Sequence, residues 1–467
     1  MARAMIASGS ELMDRSMALH VIVLAAGQGK RMRSERAKVL LPVGGRPMLD
    51  HVLEAARALA PDCIHLVHGH RGEQLVARYA HQPGLRMVAQ QEQLGTGHAV
   101  QSAMPEVPDS ARVLVLLGDV PLIRSETLRD LLAAPASLAV LSVRLADPTG
   151  YGRVLMDQER RVQAIVEQKD ASAQQLAVRD CNSGVIAADA APLKRWLAAL
   201  RPDNAQREYY LTDIFAIARN EGTAALAAPG MAEEVQGAND ARQLSELNRL
   251  LELRAADALL SAGVRLARPE FCFVRGHVQA GSDVELDVHV VLEGDVVLGD
   301  GVRVGPFSRL KNCRLAAGTE VLAHCDLEGV LTTGPCRIGP FARLRPGTEL
   351  AEGVHIGNFV ETKQSRFALG SKANHLSYVG DADVGAGSNI GAGTITCNYD
   401  GVHKHRTEIG EHVFIGSNSA LVAPVKIGAG ATIGAGSVIT KTAPPNQLTL
   451  ARAPQNTLPA WKRPSKR

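Results

Sequence analysis

The sequence predicts two domains of different fold class, an α/β domain followed by an all-β domain that is a parallel β-helix. A chain of 467 residues is too long for a single hydrophobic core. Short apolar runs alternate with amphipathic segments in the first half, and aliphatic residues recur every six positions in the second half. We therefore predict an N-terminal extension (1–17), an α/β domain (18–239), a linker helix (240–262) and a β-helix with a C-terminal tail (263–467).

Composition and charge argue against several kinds of partner. The net charge of +3 and the 3% aromatic content do not favour nucleic-acid binding, although the tail WKRPSKR is basic. The chain contains no run of about 18 apolar residues, and residues 1–16 lack the apolar core of a signal peptide. Seven cysteines form no CxxC pair and no metal-ligand spacing, which favours a reducing compartment. We expect a cytoplasmic protein with no membrane partner, whose leader is a disordered extension or reflects a second start site at Met17.

The first half has the pattern of a parallel sheet with crossover helices. Its apolar runs VIVLAA, IHLVHG, RVLVLLGDV and LAVLSVRL are separated by amphipathic segments such as MLDHVLEAARALA. A longer helical pattern then leads to Gly263, a helix stop signal. Its apolar stripe predicts the buried face of the linker helix: Leu244, Leu247, Leu251, Ala255 and Ala258.

The second half has a strict six-residue period, which is typical of a parallel β-helix built from hexapeptide repeats. Each coil buries too little surface alone, so stacked coils supply the continuous core. Such prisms often associate side by side, which favours an oligomer. The predicted inward-facing residues are Leu286, Leu292, Leu298, Val304 and Leu310, then Ile338, Leu344, Leu350 and Ile356, then Ile409, Ile415, Leu421, Ile427, Ile433 and Ile439.

A glycine-rich, basic turn follows the first strand, in VIVLAAGQGKRM. Such a turn lets the backbone approach a phosphate and offers free N–H groups and cations to it. The turn lacks the third glycine of the dinucleotide fingerprint and the GK[ST] of a Walker loop. Taken alone, it is equally compatible with a plain strand-to-helix connection.

Neighbouring stretches favour a nucleotide site. KVLLPVGGRPML contributes Lys38, and QQEQLGTGHA contributes Gln90, Gly95 and Thr96. VLLGDVPL places Asp119 at the carboxyl end of a buried strand, where ligands bind in open α/β sheets. Its carboxylate could hold Mg²⁺ on a nucleotide, because hard cations prefer oxygen ligands. The alternative is that Asp119 caps the following turn.

From about Ala18 to Arg463 the chain resembles a known enzyme family. The matching stretches are LAAGxGxRM, EQLGTGHA, DPTGYGR, NIGAGTITCNYDG and LVAPV. The first half resembles the sugar-nucleotide pyrophosphorylases. With the β-helix, the whole resembles the bacterial bifunctional N-acetylglucosamine-1-phosphate uridylyltransferases that are also glucosamine-1-phosphate N-acetyltransferases.

For the first half, the resemblance implies a Rossmann-like nucleotidyltransferase domain that uses Mg²⁺ and UTP. Arg31 and Lys38 would stabilise charge as pyrophosphate leaves, and Asp119 and Asn239 would hold Mg²⁺. Where the family commonly has tyrosine this chain has Leu117, so any contact from a tyrosine ring or hydroxyl is lost; Gln28 and Lys30 also depart from the family's usual residues. The implied nucleotide pocket comprises Leu24, Ala25, Ala26, Gly27, Lys38, Gln90, Gly95 and Thr96, and the implied sugar-phosphate contacts are Gly152, Glu167, Asn182 and Asn239.

For the second half, the resemblance implies a left-handed β-helix that binds acetyl-CoA and forms a homotrimer with acetyl sites between subunits. His375, within KANHLSYVGD, is the candidate base, because imidazole titrates near neutral pH and the amine must lose a proton. Glu361 would support the site, and Cys397 is expected to be structural. The implied acceptor contacts are Arg345, Lys363, Tyr378 and Asn389, and the implied acetyl-CoA contacts are Ala392, Asn398, Tyr399, Ser417, Ala435 and Arg452.

The resemblance implies N-acetylation of glucosamine 1-phosphate followed by uridylyl transfer, giving UDP-N-acetylglucosamine for the bacterial cell wall, peptidoglycan and lipopolysaccharide. Two alternatives remain at this point. One is a single-function nucleotidyltransferase for another sugar with a regulatory β-helix. The other is a trimeric scaffold without activity, although a scaffold needs only the hexads and not the polar residues around His375.

Overall fold

The structure is a computed structural model that describes residues 17–27 and 29–463. It contains two compact units, Met1–Leu251 and Glu252–Arg467. The division between them falls inside a long helix rather than at residue 239 or 263, so the sequence-based domain bounds remain predictions. The expected N-terminal extension, apart from Met17, and residue Gln28 lie outside the described residues. Among the described helices, none is long and apolar enough to cross a membrane.

The first unit is built on a nine-stranded sheet with the order β5-β4-β1-β6-β10-β7-β11-β9-β8. Its strands are β1 (Leu19–Ala25), β2 (Pro42–Val43), β3 (Arg46–Pro47), β4 (Cys63–His68), β5 (Leu85–Ala89), β6 (Arg112–Leu117), β7 (Leu138–Arg144), β8 (Arg153–Met156), β9 (Arg161–Val166), β10 (Asp180–Asp189) and β11 (Ala225–Pro229). Strands β2 and β3 form a separate hairpin. The helices are α1 (Met48–Arg57), α2 (Gly72–Tyr79), α3 (Thr96–Ala103), α4 (Ser125–Leu132), α5 (Ala173–Leu176), α6 (Ala190–Ala198), α7 (Asp213–Asn220) and α8 (Ala241–Ser261), with short 3₁₀ turns at Lys30–Met32, Lys38–Leu40, Met104–Glu106 and Pro269–Phe271.

The α/β fold class is confirmed, but the sheet is not wholly parallel. Strands β5, β4, β1 and β6 pair in parallel, whereas β10 is antiparallel to both β6 and β7. The reason is the β8–β9 hairpin, after which the chain enters the sheet from its opposite end. The pairing of β10 with β7 also shifts register between Asn182 and Ile186. This irregularity changes which β10 side chains lie opposite those of β7.

Two apolar cores cover the faces of this sheet. In β1, Val21 and Val23 face a core shared with α1, α2 and α4, and Ile22 faces a core shared with α3, α6 and α7. This alternation follows from the period of two in a strand. Because Leu24 pairs with Leu117 in parallel register, the residues that follow β1 and β6 lie at the same edge of the sheet. That edge carries the candidate site of the first unit.

Helix α8 has a buried face that differs in part from the predicted stripe. Leu247 is buried with residues of the first unit, and Leu259 is buried in the core of the second unit. Ala258, which the stripe placed inside, is exposed, and Ala256 is buried instead. The prediction for Ala258 is wrong because the two halves of the helix pack with different cores, so one continuous stripe does not describe both.

The second unit is a parallel β-helix, as the hexads predict. All fifteen predicted inward-facing residues are 4% exposed or less. The strands belong to two parallel sheets, one of 11 and one of 17 strands. They are β12–β39: Arg265–Leu266, Cys272–Ala280, Glu285–Leu286, Val290–Leu298, Arg303–Val304, Arg309–Lys311, Arg314–Leu315, Glu320–Val321, Asp326–Glu328, Leu331–Thr332, Arg337–Ile338, Arg343–Leu344, Glu349–Leu350, His355–Asn358, Glu361–Lys363, Arg366–Phe367, Lys372–His375, Tyr378–Gly380, Ala382–Val384, Asn389–Ile390, Ile395–Cys397, Thr407–Ile409, Phe414–Ile415, Ala420–Val422, Val425–Ile427, Thr432–Ile433, Val438–Ile439 and Leu448–Thr449.

Candidate functional site

A cavity of about 620 Å³ lies at the carboxyl ends of β1 and β6 in the first unit. Its walls come from the turn after β1, the 3₁₀ turn Lys38–Leu40 and the segment that leads into α3. The structure thus brings together all eight residues of the predicted nucleotide pocket: Leu24, Ala25, Ala26, Gly27, Lys38, Gln90, Gly95 and Thr96.

Side-chain amides connect the loops around this cavity. Gln93, which the sequence reasoning missed, donates from Nε2 to the carbonyl oxygen of Ala26 at 2.9 Å. Gln90 donates from Nε2 to the carbonyl oxygen of Gly95 at 3.1 Å. Gly95 has φ of 112°, and a Cβ there would lie 2.7 Å from the carbonyl oxygen of Tyr209. Glycine is therefore required where the backbone enters α3.

A second cavity of about 490 Å³ adjoins the first. The two cavities share Leu24, Thr96, Leu117 and Asp119 in their walls. An elongated ligand can therefore extend from one into the other past Asp119. The remaining residues predicted for the uridylyl site also line the second cavity: Arg31, Gly152, Glu167, Asn182 and Asn239.

Glu167 is a half-buried acid in the wall of the second cavity. Burial raises the pKa of its carboxyl group, and the Thr212 hydroxyl, which donates to Oε1 at 3.2 Å, partly offsets that rise. A Cβ at Gly152 would lie 3.2 Å from the same oxygen, so glycine keeps the space beside the carboxylate open. The backbone N–H of Asn182 donates to the Gly152 carbonyl at 2.9 Å, which holds β10 against this loop. These groups form a polar wall that can make hydrogen bonds to the hydroxyl groups of a ligand.

The two predicted metal ligands converge on one point. Lys38 Nζ lies 2.5 Å from Asp119 Oδ2 and donates to Asn239 Oδ1 at 2.8 Å. A carboxylate oxygen and an amide oxygen that already hold one cation between them have the donor chemistry that Mg²⁺ prefers. The residues present therefore fit a magnesium ion.

Leu117 packs against Gly184, which has φ of +81°. A Cβ at Gly184 would lie 2.6 Å from Leu117 Cδ1, so the leucine occupies the space that the glycine leaves. We expect Gly184→Ala to displace Leu117 into the cavities and to destabilise the unit by roughly 1–3 kcal/mol, through both overpacking and backbone strain. Urea unfolding measures the change. Gly222→Ala is the matched control, because Gly222 also has φ of +81° but no atom would lie within 4 Å of its Cβ. Equal losses in the two variants would contradict a packing role for Gly184.

In the second unit, His375 is exposed and oriented by a side chain that the sequence reasoning missed. His375 Nδ1 lies 2.7 Å from Asn358 Oδ1. Because an amide oxygen only accepts, Nδ1 carries the proton and the lone pair of the neutral ring is on Nε2. Asn358 pairs with His375 in adjacent coils. The sequence signal that could have identified Asn358 is its separation of seventeen residues from His375, which is the length of one coil here.

Basic side chains gather on the neighbouring sheet. Arg345 Nη1 donates to Glu361 Oε1 at 3.0 Å, so Glu361 orients a predicted phosphate ligand. Lys363 follows in register in the next coil, and contact with the Lys404 ammonium is the largest cause that lowers the pKa of Lys363. Lys404 was not predicted, because it reaches this place only through the loop that pairs Tyr399 with Lys404. Three cations of this kind suit a phosphate dianion.

Three of the predicted acetyl-CoA residues stack in successive coils. The N–H of Asn418 donates to the Ala392 carbonyl at 2.7 Å, and the N–H of Gly436 donates to the Ser417 carbonyl at 2.8 Å. Arg452 Nη1 donates to the Ala435 carbonyl at 2.7 Å. Residues Ala392, Ser417 and Ala435 therefore form a flat wall of small side chains that ends at a guanidinium group.

The other predicted acetylation residues lie on different parts of the β-helix. Asn398 Nδ2 donates to the Tyr378 hydroxyl at 3.4 Å, and Tyr399 is 59% exposed. Asn389 lies in the 11-stranded sheet beside Lys372, whereas Tyr378 lies in the 17-stranded sheet. Cys397 is half-buried on the strand Ile395–Cys397. One chain thus presents the predicted acceptor residues on two sheets.

One potential metal-ligating group lies away from both sites, although no cysteine spacing in the sequence suggested it. The ligand atoms of His20, Cys63 and His65 lie within 4.8 Å of one another. His20 Nδ1 and His65 Nε2 are 2.9 Å apart and share a hydrogen bond. Burial lowers the pKa of His65 to about 4, so this pair is neutral at physiological pH. The contact between the rings leaves His65 Nδ1 buried without a hydrogen-bond partner.

Comparisons with known proteins identify the family of this chain. Residues 21–254 match the MobA-like NTP transferase domain, and residues 406–441 match the bacterial transferase hexapeptide (six repeats). The chain is 62% identical to the Bifunctional protein GlmU of Stenotrophomonas maltophilia (strain K279a), over 96% of this chain and 99% of that protein. The chain belongs to the GlmU family. Another GlmU protein, from Xanthomonas axonopodis pv. citri (strain 306), is 59% identical over 97% of this chain and 99% of its own length.

The GlmU match covers both units, so both the α/β unit and the β-helix are family features. Among solved structures, a UDP-glucose pyrophosphorylase complexed with UDP-glucose covers 50% of this chain, with a TM-score of 0.41 and 15% identity. The GlmU relatives and the two family models confirm the resemblance inferred from the sequence motifs at the level of family, fold and bifunctional enzyme.

Proposed function

We propose that the protein makes UDP-N-acetylglucosamine by two reactions in two separate units. The second unit transfers an acetyl group from acetyl-CoA to glucosamine 1-phosphate. The first unit transfers uridylyl from UTP to the resulting N-acetylglucosamine 1-phosphate and releases pyrophosphate. The observation that carries the proposal is the pair of adjoining cavities that meet at Asp119, together with an oriented histidine and a cluster of cations on the β-helix.

In uridylyl transfer, a phosphate oxygen of the sugar phosphate attacks the α-phosphorus of UTP, and the bond to the leaving pyrophosphate breaks. No covalent protein nucleophile is needed, because positioning and charge stabilisation supply most of the catalysis. The glycine-rich turn and the start of α3 hold the nucleotide, and Lys38 and Arg31 neutralise phosphate charge. Glu167 and Asn182 orient the sugar. Asp119 and Asn239 would hold Mg²⁺, which would supply additional positive charge to stabilise the phosphates.

In acetyl transfer, the amine nitrogen attacks the thioester carbonyl carbon, the C–S bond breaks and CoA leaves as its thiolate, which takes up a proton to give the thiol. His375 accepts the amine proton at Nε2, because Asn358 engages Nδ1. Arg345, Lys363 and Lys404 hold the phosphate of the acceptor. The wall formed by Ala392, Ser417 and Ala435 accepts the pantetheine arm without steric conflict, and Arg452 meets the charged end of the cofactor.

We also infer a homotrimer with its acetyl sites between subunits. The placement of Tyr378 and Asn389 on different sheets of one chain supports this inference, because a second copy can join the two surfaces. A cytoplasmic location is inferred from the unpaired, mostly buried cysteines.

An omission assay on the full chain tests the proposed function. Glucosamine 1-phosphate, acetyl-CoA, UTP and Mg²⁺ are mixed and then omitted in turn, while free thiol and pyrophosphate are recorded separately. We expect thiol release to need only the amino sugar and acetyl-CoA, and pyrophosphate release to need that product, UTP and Mg²⁺. Pyrophosphate release with a different sugar phosphate and no thiol release would show that the β-helix is a scaffold or a regulatory domain.

The lowered pKa of Lys363 gives a pH prediction for the acceptor site. A lowered pKa means that the ammonium loses its proton at a lower pH than an ordinary lysine, so affinity for the sugar phosphate falls earlier as pH rises. We expect Lys404→Met to move this fall to higher pH and to raise KM for glucosamine 1-phosphate about tenfold at neutral pH, since one phosphate contact is lost. Thiol release at several pH values measures both effects. Lys426→Met, which removes an exposed lysine paired with Glu408, is the control. An unchanged pH profile in Lys404→Met would disprove the role of Lys404.

A further inference from the structure

The side chain of Lys38 occupies the place between the two proposed metal ligands. Its Nζ atom is 2.5 Å from Asp119 Oδ2 and 2.8 Å from Asn239 Oδ1. The lysine and aspartate side chains are only 12% and 24% exposed. A Cβ at Gly29 would lie 2.8 Å from Lys38 Cβ, so the glycine-rich turn packs directly on this lysine. The ion pair between Lys38 and Asp119 is therefore a packed, partly buried feature of the cavity wall and differs from an exposed surface salt bridge.

An ammonium group and a divalent cation compete for these oxygens. Magnesium binds oxygen at 2.0–2.1 Å in a nearly octahedral arrangement and needs the lone pairs that Lys38 now engages. Two cations at one carboxylate also repel each other strongly when they are partly shielded from water. Entry of the metal therefore favours displacement of Lys38 from these oxygens.

The same cavity offers Lys38 a new partner. Lys38 lines the first cavity together with Gly27, Gly95 and Thr96, where the proposed function places the nucleotide phosphates. A polyphosphate can therefore accept the ammonium group as it leaves Asp119. Without a nucleotide, the lysine keeps the partly buried carboxylate neutralised, which avoids the cost of an unpaired charge.

We propose that Lys38 and the divalent cation exchange at Asp119 and Asn239. In the free protein the ammonium group holds the two oxygens, and it moves to the phosphates when the cation and nucleotide bind. The inference rests on the proposed uridylyl transfer. The exchange makes cation binding weak in the free protein and couples cation binding to nucleotide binding. By thermodynamic reciprocity, each of the two ligands strengthens the binding of the other.

Titration of the full chain with Mn²⁺, followed by electron paramagnetic resonance without nucleotide, tests the exchange without an activity measurement. We expect Lys38→Met to bind Mn²⁺ about tenfold or more tightly than the unmodified protein, within the ordinary range of coupling between competing ligands. Lys38→Arg, which keeps the positive charge, is expected to bind Mn²⁺ weakly. Lys194→Met is the matched control, because it removes a lysine that lies 2.5 Å from Asp109 on the same unit. Its Mn²⁺ affinity should not change.

Two further measurements make the test decisive. Asp119→Asn combined with Lys38→Met must remove the gain in Mn²⁺ affinity, and circular dichroism must show that each variant is folded. Mn²⁺ affinity in Lys38→Met that is equal to or weaker than in the unmodified protein overturns the exchange, as does a gain that survives the loss of Asp119. Pyrophosphate release by the unmodified protein is assayed separately. If the unmodified protein releases no pyrophosphate, uridylyl transfer is refuted. If it releases pyrophosphate but Lys38→Met shows unchanged Mn²⁺ affinity, only the exchange is refuted.

Discussion

Asp119→Asn is expected to reduce pyrophosphate release by about a thousandfold or more while acetyl transfer continues at the normal rate. The substitution keeps the shape of the side chain but removes its charge, so the cation at the phosphates loses its carboxylate ligand. A thousandfold loss corresponds to about 4 kcal/mol of transition-state stabilisation, which is in the range for loss of a metal's charge. Parallel assays of pyrophosphate and free thiol on one preparation measure the two activities.

The control for this variant is Asp109→Asn, which removes the carboxylate of a surface ion pair with Lys194 in the same unit. It should leave both activities unchanged. If Asp119→Asn lost both activities while remaining folded, the two sites would not be independent, and the assignment of one reaction to each unit would be wrong.

His375→Ala is expected to show the opposite result, with thiol release lowered by about 10² to 10⁴-fold, the usual contribution of a general base. Uridylyl transfer should continue when N-acetylglucosamine 1-phosphate is supplied directly. The reason is that His375 lies on the β-helix and does not line either cavity of the first unit. His277→Ala removes an exposed histidine from an earlier coil and serves as the control. Full thiol release by His375→Ala would exclude this residue as the base.

Asn358 provides an independent check on the orientation of the ring. Asn358→Leu removes the acceptor 2.7 Å from Nδ1, whereas Asn358→Asp retains one. We expect thiol release to fall about 10-fold to 100-fold in the leucine variant, as is typical when a supporting hydrogen bond is lost, and to recover in the aspartate variant. KM for glucosamine 1-phosphate should change little in either. Equal loss in both variants would indicate a packing role for Asn358 instead of a positioning role.

Patterns that depend on local spacing could be interpreted from the sequence. The hexads identify residues that face inward, because each coil repeats the same backbone geometry, and all of them are buried. Asp119 could be identified because it is an acidic residue just beyond the end of an apolar strand. The candidate pocket residues required the motif resemblance as well, since composition and periodicity do not distinguish a nucleotide loop from an ordinary turn.

Features that depend on register or on distant segments could not be predicted in this way. Ala258 was misplaced because one stripe was extended over a helix that packs with two cores. Asn358 was missed because its coil advances by seventeen residues, whereas a strict hexad period implies eighteen. Lys404 reaches Lys363 through an irregular loop that interrupts the hexads.

The sequence alone determined the two fold classes, the inward face of the β-helix and the position of Asp119 just beyond a buried strand. These properties follow from the regular spacing of side chains along one segment, which a strand or coil imposes wherever it lies. Only the tertiary structure decided that Lys38, Asp119 and Asn239 share one point and that Asn358 orients His375. Those contacts join residues far apart in the chain, and their distances depend on sheet register and loop path, which side-chain spacing does not encode.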